Sequence, residues 1–339
     1  MLVCVTGGTG FVGSHTVAAL LREGCRVRLL VRDKSAVGRA LAPHGIDPDQ
    51  VETAVGDVRD RASVLAALRG ADAVLHAASV YSFDVRRAAE MREVNRLGTE
   101  VVLGAAREAG VSRIVHVSSI VSLYPPPGGL LTVDTPVGRP KDVYMATKAE
   151  AEEVARRHQA EGAPVTIVYP PALFGPDDPH LGDQVSRVRD VLRGLMPIWP
   201  LGGYPIGDVR DAAALHTALL TGPPAAERYF APHHNVSTRQ YVATLRQATG
   251  RRLPTVFLPG RAMLPVGRLA DLAQRVWPWH IPAEYGAVYT CAVDARIADD
   301  APTYGIAPRP VLETMTDTVE WLRASGRLTA RQAGRPRRE

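Results

Sequence analysis

Lysine is almost missing from this chain. Of its 40 Lys plus Arg residues only Lys34, Lys141 and Lys148 are lysine, so Arg carries nearly all of the mobile positive charge. Cysteine is as sparse: Cys4, Cys25 and Cys291 are odd in number, scattered and without C-x2-C spacing. That argues against a disulfide framework or a zinc site and for a reducing, cytoplasmic setting. No apolar run approaches the roughly 18 residues of a membrane span. The apolar start Met1–Val5 meets a glycine turn with no basic n-region, so no secretory signal is expected. His233 and His234 have no carboxylate or Cys at ligand spacing, and no metal site is expected.

What is present suits a folded protein. A hydrophobic fraction of 46% in 339 residues provides for a large core. The net charge of +5 includes Arg331, Arg335, Arg337 and Arg338, which read as part of a flexible basic tail over 326–339 rather than a nucleic-acid contact.

Apolar runs suited to buried parallel strands alternate with amphipathic stretches, which predicts an α/β, doubly wound parallel sheet. Strands are expected near Leu2–Thr6, Arg26–Val31, Val51–Val55, Ala73–His76, Ile114–Val117 and Val165–Tyr169. The clearest helices are Val12–Arg22, Ala62–Leu68, Ala88–Ala109 and Asp142–Ala160. Beyond about residue 170, Pro and Gly concentrate and the rhythm changes. A sheet domain over 1–170, rejoined by 205–235, is therefore expected beside a smaller C-terminal substrate lobe over 171–204 and 236–325. A strand end and helix over Asp208–Leu220 and a last amphipathic helix over Val311–Leu322 complete this reading.

Gly7, Gly8, Gly10 and Gly13 follow the first predicted strand and open the first predicted helix, the context in which such glycines mean a dinucleotide. Gly7 and Gly8 allow the tight turn, Gly10 leaves room for a pyrophosphate, and Gly13 lets helix and strand pack. The helix start at Phe11 and Val12 then offers free N–H groups to the phosphates, as in a Rossmann-type fold. At the end of the second strand Asp33 would select NAD through the adenosine ribose, whereas Arg32 and Lys34 would pair with the 2′-phosphate of NADP. Asp33 would serve equally well as a helix cap. Two cations against one carboxylate favour NADP(H), with NAD(H) as the alternative. Asp57, with Val58, closes the third strand where adenine would lie. Ala77, Ala78 and Ser79 leave space for the cofactor after the fourth, and His76 reads as a packed core histidine.

Tyr144 stands four residues ahead of Lys148. Ten Tyr and three Lys in 339 residues would give about 0.09 such pairs by accident. The spacing puts both on one helical face. A nearby ammonium and a positive nicotinamide would favour the phenolate, so Tyr144 would pass or take a proton at an alcohol oxygen. Ser119, at the end of the fifth strand, would donate a hydrogen bond to that oxygen. Asn95 would anchor a water that relays protons past Lys148.

The residues resemble the extended short-chain dehydrogenase/reductase superfamily, also called the NAD-dependent epimerase/dehydratase family. The likeness lies in Thr6–Gly13, Gly56–Asp60, His76–Ala78, Val94–Thr99, Val117–Ser119, Tyr144 and Lys148, Pro170–Pro176 and Asp208–Asp211. Through Val27–Lys34 and Ser79–Phe83 the chain is most similar to the dihydroflavonol reductase-like and 3β-hydroxysteroid dehydrogenase-like branch. The resemblance implies that Pro170 to Leu173 line the nicotinamide carboxamide, and that the chain forms a homodimer through the helices bearing Glu90–Ala109 and Asp142–Ala160. Family dehydratases of nucleotide sugars carry an Asp-Glu pair directly after the catalytic Ser or Thr; here Ile120 and Val121 stand there.

Tyr81, Phe83, Leu123, Tyr124, Phe174 and Trp199 are expected around the substrate pocket, suiting a hydrophobic molecule. The amphipathic stretch Arg261–Trp279 reads as a lid, a membrane-resting surface or plain packing. The expected protein is a cytoplasmic, NAD(P)(H)-dependent oxidoreductase that interconverts a ketone or aldehyde and an alcohol on a hydrophobic small molecule. The alternatives are an epimerase that retains its cofactor and a non-catalytic NADP-sensing module, which the presence of both Tyr144 and Lys148 disfavours.

Overall fold

The first 170 residues alternate strand and helix because their apolar runs are short, β-branched and separated by glycine or capped turns. In the computed structural model, which describes residues 1–81, 85–223, 226–274 and 285–334, β1 (Leu2–Thr6), α1 (Phe11–Arg22), β2 (Arg26–Val31), α2 (Ser35–Leu41), β3 (Glu52–Val55), α3 (Arg61–Leu68) and β4 (Ala73–His76) come first. They are followed by α4 (Ala88–Arg92), α5 (Gly98–Glu108), β5 (Arg113–Val117), β6 (Leu130–Leu131), α6 (Val143–Ala160), β7 (Val165–Tyr169) and β8 (Ala172–Phe174). The remainder comprises α7 (Asp183–Leu192), β9 (Ile198–Leu201), β10 (Gly203–Asp208), α8 (Val209–Thr221), β11 (Arg228–Phe230), β12 (His234–Ser237) and α9 (Thr238–Thr249). Last come β13 (Val256–Pro259), α10 (Gly260–Gln274), α11 (Tyr285–Val293), β14 (Arg296–Ile297), α12 (Val311–Ala324) and α13 (Ala330–Ala333).

Seven strands form one sheet in the order β11-β7-β5-β4-β1-β2-β3. Every pairing in it is parallel. The order reverses between β1 and β4, which opens a crevice at the carboxyl ends of those strands. Apolar cores cover both faces: Val64, Leu68, Leu103 and Met145 on one, Val17, Leu20, Leu41 and Leu215 on the other.

The helix expected over Ala88–Ala109 is interrupted. Residues Glu93–Leu97 take a π-helical turn between α4 and α5, and Asn95 sits within it. Such turns concentrate at functional sites. Residues 205–208, expected to return to the large sheet, instead belong to a separate sheet in the order β12-β10-β8. Only α8, on α1, and β11 rejoin the large unit there. The lobe also returns later than expected: β14 pairs with β6, and Pro302 O accepts from Phe230 N at 3.1 Å. Much of the expected tail folds. Thr329 caps α13 through a reciprocal capping box, Arg251 donates to Gln332 O, and Ala333 is buried. Arg335, Arg337 and Arg338 lie outside the described residues.

Candidate functional site

The turn after β1 is forced on the chain by its neighbours. Gly7 has φ +74°, and a Cβ there would stand 2.6 Å from the Ala77 carbonyl carbon, so the loops leaving β1 and β4 touch backbone to backbone. A Cβ at Gly13 would stand 2.1 Å from Gly7 O. The start of α1 at Gly10 has no side-chain cap and no acidic residue in its first turn. The orphan N–H groups of Phe11, Val12 and Gly13 thus face the crevice with the positive end of the helix dipole, which fits a pyrophosphate. Pro170 and Leu173 are both buried near this crevice; Pro170 O accepts from Ile120 N at 3.2 Å, and Leu173 packs into the sheet core.

At the adenosine end Asp33 is committed to the chain itself. Its carboxylate accepts from Ser35 N and Ser35 Oγ, both at 2.8 Å, starting α2. Arg32 and Lys34 flank it, exposed, and their side chains make no hydrogen bond or ion pair among the described residues. Asp57 is held by Arg59, which donates to both its oxygens at 3.0 and 2.9 Å and also reaches Glu93. These hydrogen bonds keep the Asp57 carboxyl below its usual range, against the effect of burial. Val58 packs against the Cα of Gly98, where a Cβ would come within 2.9 Å of it.

The reacting end is a column of side chains on α6. Asp142 starts the helix by accepting from Met145 N at 3.0 Å. Four-residue steps then place Tyr144, Lys148, Glu152 and Arg156 on one face. Tyr144 is only 7% exposed, and burial pushes its phenol above the ordinary value while a hydrogen bond with Ser119 pulls the other way. The ammonium of Lys148 donates to Ser79 Oγ at 3.3 Å. Burial lowers its pKa from 10.5 to about 8, and the Glu152 carboxylate opposes that fall. Burial, and not an ammonium, therefore dominates the phenol in the protein alone.

Asn95 is a clamp. Its Oδ1 accepts from Val80 N at 2.8 Å and Ser79 Oγ at 3.0 Å, while its Nδ2 donates to Val80 O and Thr147 Oγ1, each at 3.0 Å. These direct bonds tie the exit of β4 to α6, next to Lys148. His76 is buried between Thr6 Oγ1 at 2.8 Å and Thr99 Oγ1 at 3.2 Å, and burial lowers its pKa to about 3, so it stays neutral.

Glu152 carries a signal that the sequence reading passed over: it continues the spacing from Tyr144 and Lys148. Fully buried, it accepts from Ser118 Oγ at 2.7 Å, Arg156 Nε at 2.7 Å and Tyr169 OH at 2.6 Å. Nothing local marks α7, yet its Gln184 donates to Tyr81 OH at 3.0 Å. The charge of Asp183 further raises both Tyr81 and Tyr144.

The aromatic residues separate into two groups. Tyr81 lies against Tyr144, ring centroids 4.7 Å apart and nearly perpendicular. Phe174 and Trp199 are fully buried in the core of the C-terminal lobe, both with rings tilted against Tyr241. Tyr124 and Leu123 are fully buried in the sheet-domain core. Phe83 lies outside the described residues. His15, His44 and Asp177 bring ligand atoms within 4.8 Å of one another, on α1 and two loops. The charges of Arg22 on His44 and of Arg210 on His15 and Asp177 oppose a cation there.

The profile of the NAD dependent epimerase/dehydratase family matches residues 3–230. The chain belongs to that family. It is 30% identical to sterol demethylase protein B of Methylococcus capsulatus, over 96% of this chain and 99% of that one. It is also 30% identical to the 4-hydroxy-2-methyl-3-oxo-4-farnesyl-3,4-dihydroquinoline-1-oxide ketoreductase of Stigmatella aurantiaca, over 88% and 89% of the two chains. The crystal structure of gox2253 superposes with a TM-score of 0.80 at 29% identity, covering 97% of this chain and 99% of that one. The extended short-chain type expected from the glycine turn, Ser119, Tyr144 and Lys148 therefore holds, and the chain is an NAD(P)-dependent enzyme.

Proposed function

We propose that this enzyme interconverts a ketone and a secondary alcohol on a hydrophobic small molecule, with NADP(H) as the preferred cofactor. The observation that carries the reading is the hydrogen bond between Ser119 and the buried Tyr144, one helical turn from Lys148. The glycine turn and the first turn of α1 would hold the pyrophosphate, Lys148 the nicotinamide ribose, and Arg32 with Lys34 a 2′-phosphate. When bound, the nicotinamide supplies or accepts the hydride. Tyr144 exchanges the proton at the substrate oxygen, and Ser119 donates to that oxygen as charge develops. Asn95 and Ser79 hold the Lys148 ammonium in place.

Substrate polarity follows from what lines the phenol. Tyr81 covers Tyr144, and Ile120 and Val121 behind Ser119 are buried and apolar, so no acid–base pair for eliminating water stands there. The related ketoreductase and sterol demethylase protein, by name, concern apolar molecules, in keeping with this reading. A cytosolic dimer through α5 and α6 belongs to the same proposal; the three cysteines are free thiols.

A panel of hydrophobic ketones and alcohols, followed at the nicotinamide absorbance, tests the reaction: turnover with apolar ketones is expected, and turnover confined to nucleotide sugars would overturn it. A nicotinamide that stays with the protein through gel filtration would point to an epimerase instead. Fluorescence titration decides the cofactor, with tighter NADPH than NADH binding expected.

A further inference from the structure

We propose that the unit formed by β9, β13 and α10 docks peripherally on an anionic lipid bilayer. Eleven large hydrophobic side chains are exposed among the described residues, and seven of them fall in this short stretch of the chain. Leu195 and Ile198 lie at the entry to and on β9. Val256 pairs across the ribbon with Ile198, and Leu258 follows two residues on, pointing to the same side as Val256. On α10, Val266, Leu269 and Leu272 recur every three residues and are 55%, 66% and 59% exposed. The helix packs on both strands, so ribbon and helix form one body. Scattered exposed apolar residues are ordinary; a concentration of this kind marks an interaction surface.

The charge of this unit taken together with α9 and the loops beside it selects the occupant. Residues 191–204 and 236–274 contain seven Arg and one acid, Asp271, a formal +6. The whole chain carries +5, so everything else sums to −1. Arg239 lies 4.8 Å from the Phe257 ring centroid and Arg268 5.2 Å from that of Tyr285, which leaves these guanidinium groups beside apolar surface. A second copy facing this wider region symmetrically would set +6 against +6, which disfavours self-association. Nucleic acid would leave the leucines without partners. An anionic bilayer takes both: apolar side chains enter the acyl boundary while Arg reaches the phosphates. Among the described residues no helix is long and apolar enough to cross a membrane, so α10 lies in the plane of the interface.

The full-length protein is sedimented with vesicles of phosphatidylcholine alone and of phosphatidylcholine mixed with phosphatidylglycerol. It should pellet with the mixed vesicles and release as salt shortens the Debye length. Leu269→Ser with Leu272→Ser should abolish pelleting. Arg261→Gln with Arg268→Gln should weaken it roughly 30-fold, at about fivefold per basic residue. All four positions lie on the surface, so melting temperature and turnover of a water-soluble ketone should match the parent. Absence of pelleting with either vesicle overturns the proposal, as does pelleting indifferent to both pairs of substitutions. Sedimentation velocity showing that the leucine pair converts a dimer to a monomer would assign the face to a second copy instead. Vesicle binding and ketone turnover are separate readouts, and either can fail without the other.

Discussion

The two ends of the nucleotide crevice are built on opposite principles. At the reacting end Tyr144, Lys148 and Glu152 are buried, and their partners come from the exits of β4 and β5 and from β7. At the adenosine end Arg32, Asp33 and Lys34 are exposed, and the Asp33 carboxylate meets only its near neighbours Ser35 and Arg39 among the described residues. Burial makes each reacting-end group depend on several elements at once, because an unpaired polar group there is costly. Exposure makes the adenosine end locally determined, tolerant and weakly coupled.

Tyr144→Phe should bring the largest change. Turnover should fall by roughly 10²–10⁴-fold, the range of general acid–base catalysis, with cofactor affinity retained. Steady-state kinetics beside a cofactor titration checks both; unchanged turnover would remove Tyr144 from the chemistry. Glu152→Gln should destabilise the fold by roughly 3 kcal/mol, since it leaves the Arg156 guanidinium without its buried counter-charge. Urea unfolding measures this.

The same substitution sharpens the comparison through pH. Lys148 loses its proton as pH rises through about 8, so kcat/KM for the cofactor should decline above that pH. Glu152 raises the Lys148 pKa, so in Glu152→Gln the decline should move to lower pH; a shift the other way would contradict the assignment.

At the exposed end the effects should be small. Arg32→Ala should weaken NADPH binding by about 1 kcal/mol, roughly fivefold, and leave NADH binding unchanged. Asp33→Ala should cost a few tenths to about 1 kcal/mol through the lost turn at the start of α2, visible as a slight fall in melting temperature. A large loss of NADH affinity in Asp33→Ala would show that the carboxylate serves the ribose as well.

Much of the site is legible along the chain because its signals are local. Strand apolarity, glycines at a forced turn and a four-residue step each act over a few residues, and the observed β1, β2, β4 and β7 fall on the ranges the sequence predicts. Asn95 was recognisable as special, but its clamp on Val80 and Thr147 joins segments 15 and 52 residues away. Phe174 and Trp199 mislead for the same reason: an aromatic residue reads alike whether it lines a pocket or fills a core.

The sequence alone determined the class of sheet, the phosphate turn and the pairing of Tyr144 with Lys148, since each follows from backbone sterics or helical periodicity. Only the tertiary structure decided that Asn95 bonds directly to the chain, that Glu152 anchors the column from below and that α7 brings Gln184 over Tyr81. It also paired β9 with β13 and packed α10 on both. These depend on which distant segments burial brings together, and no local pattern encodes that.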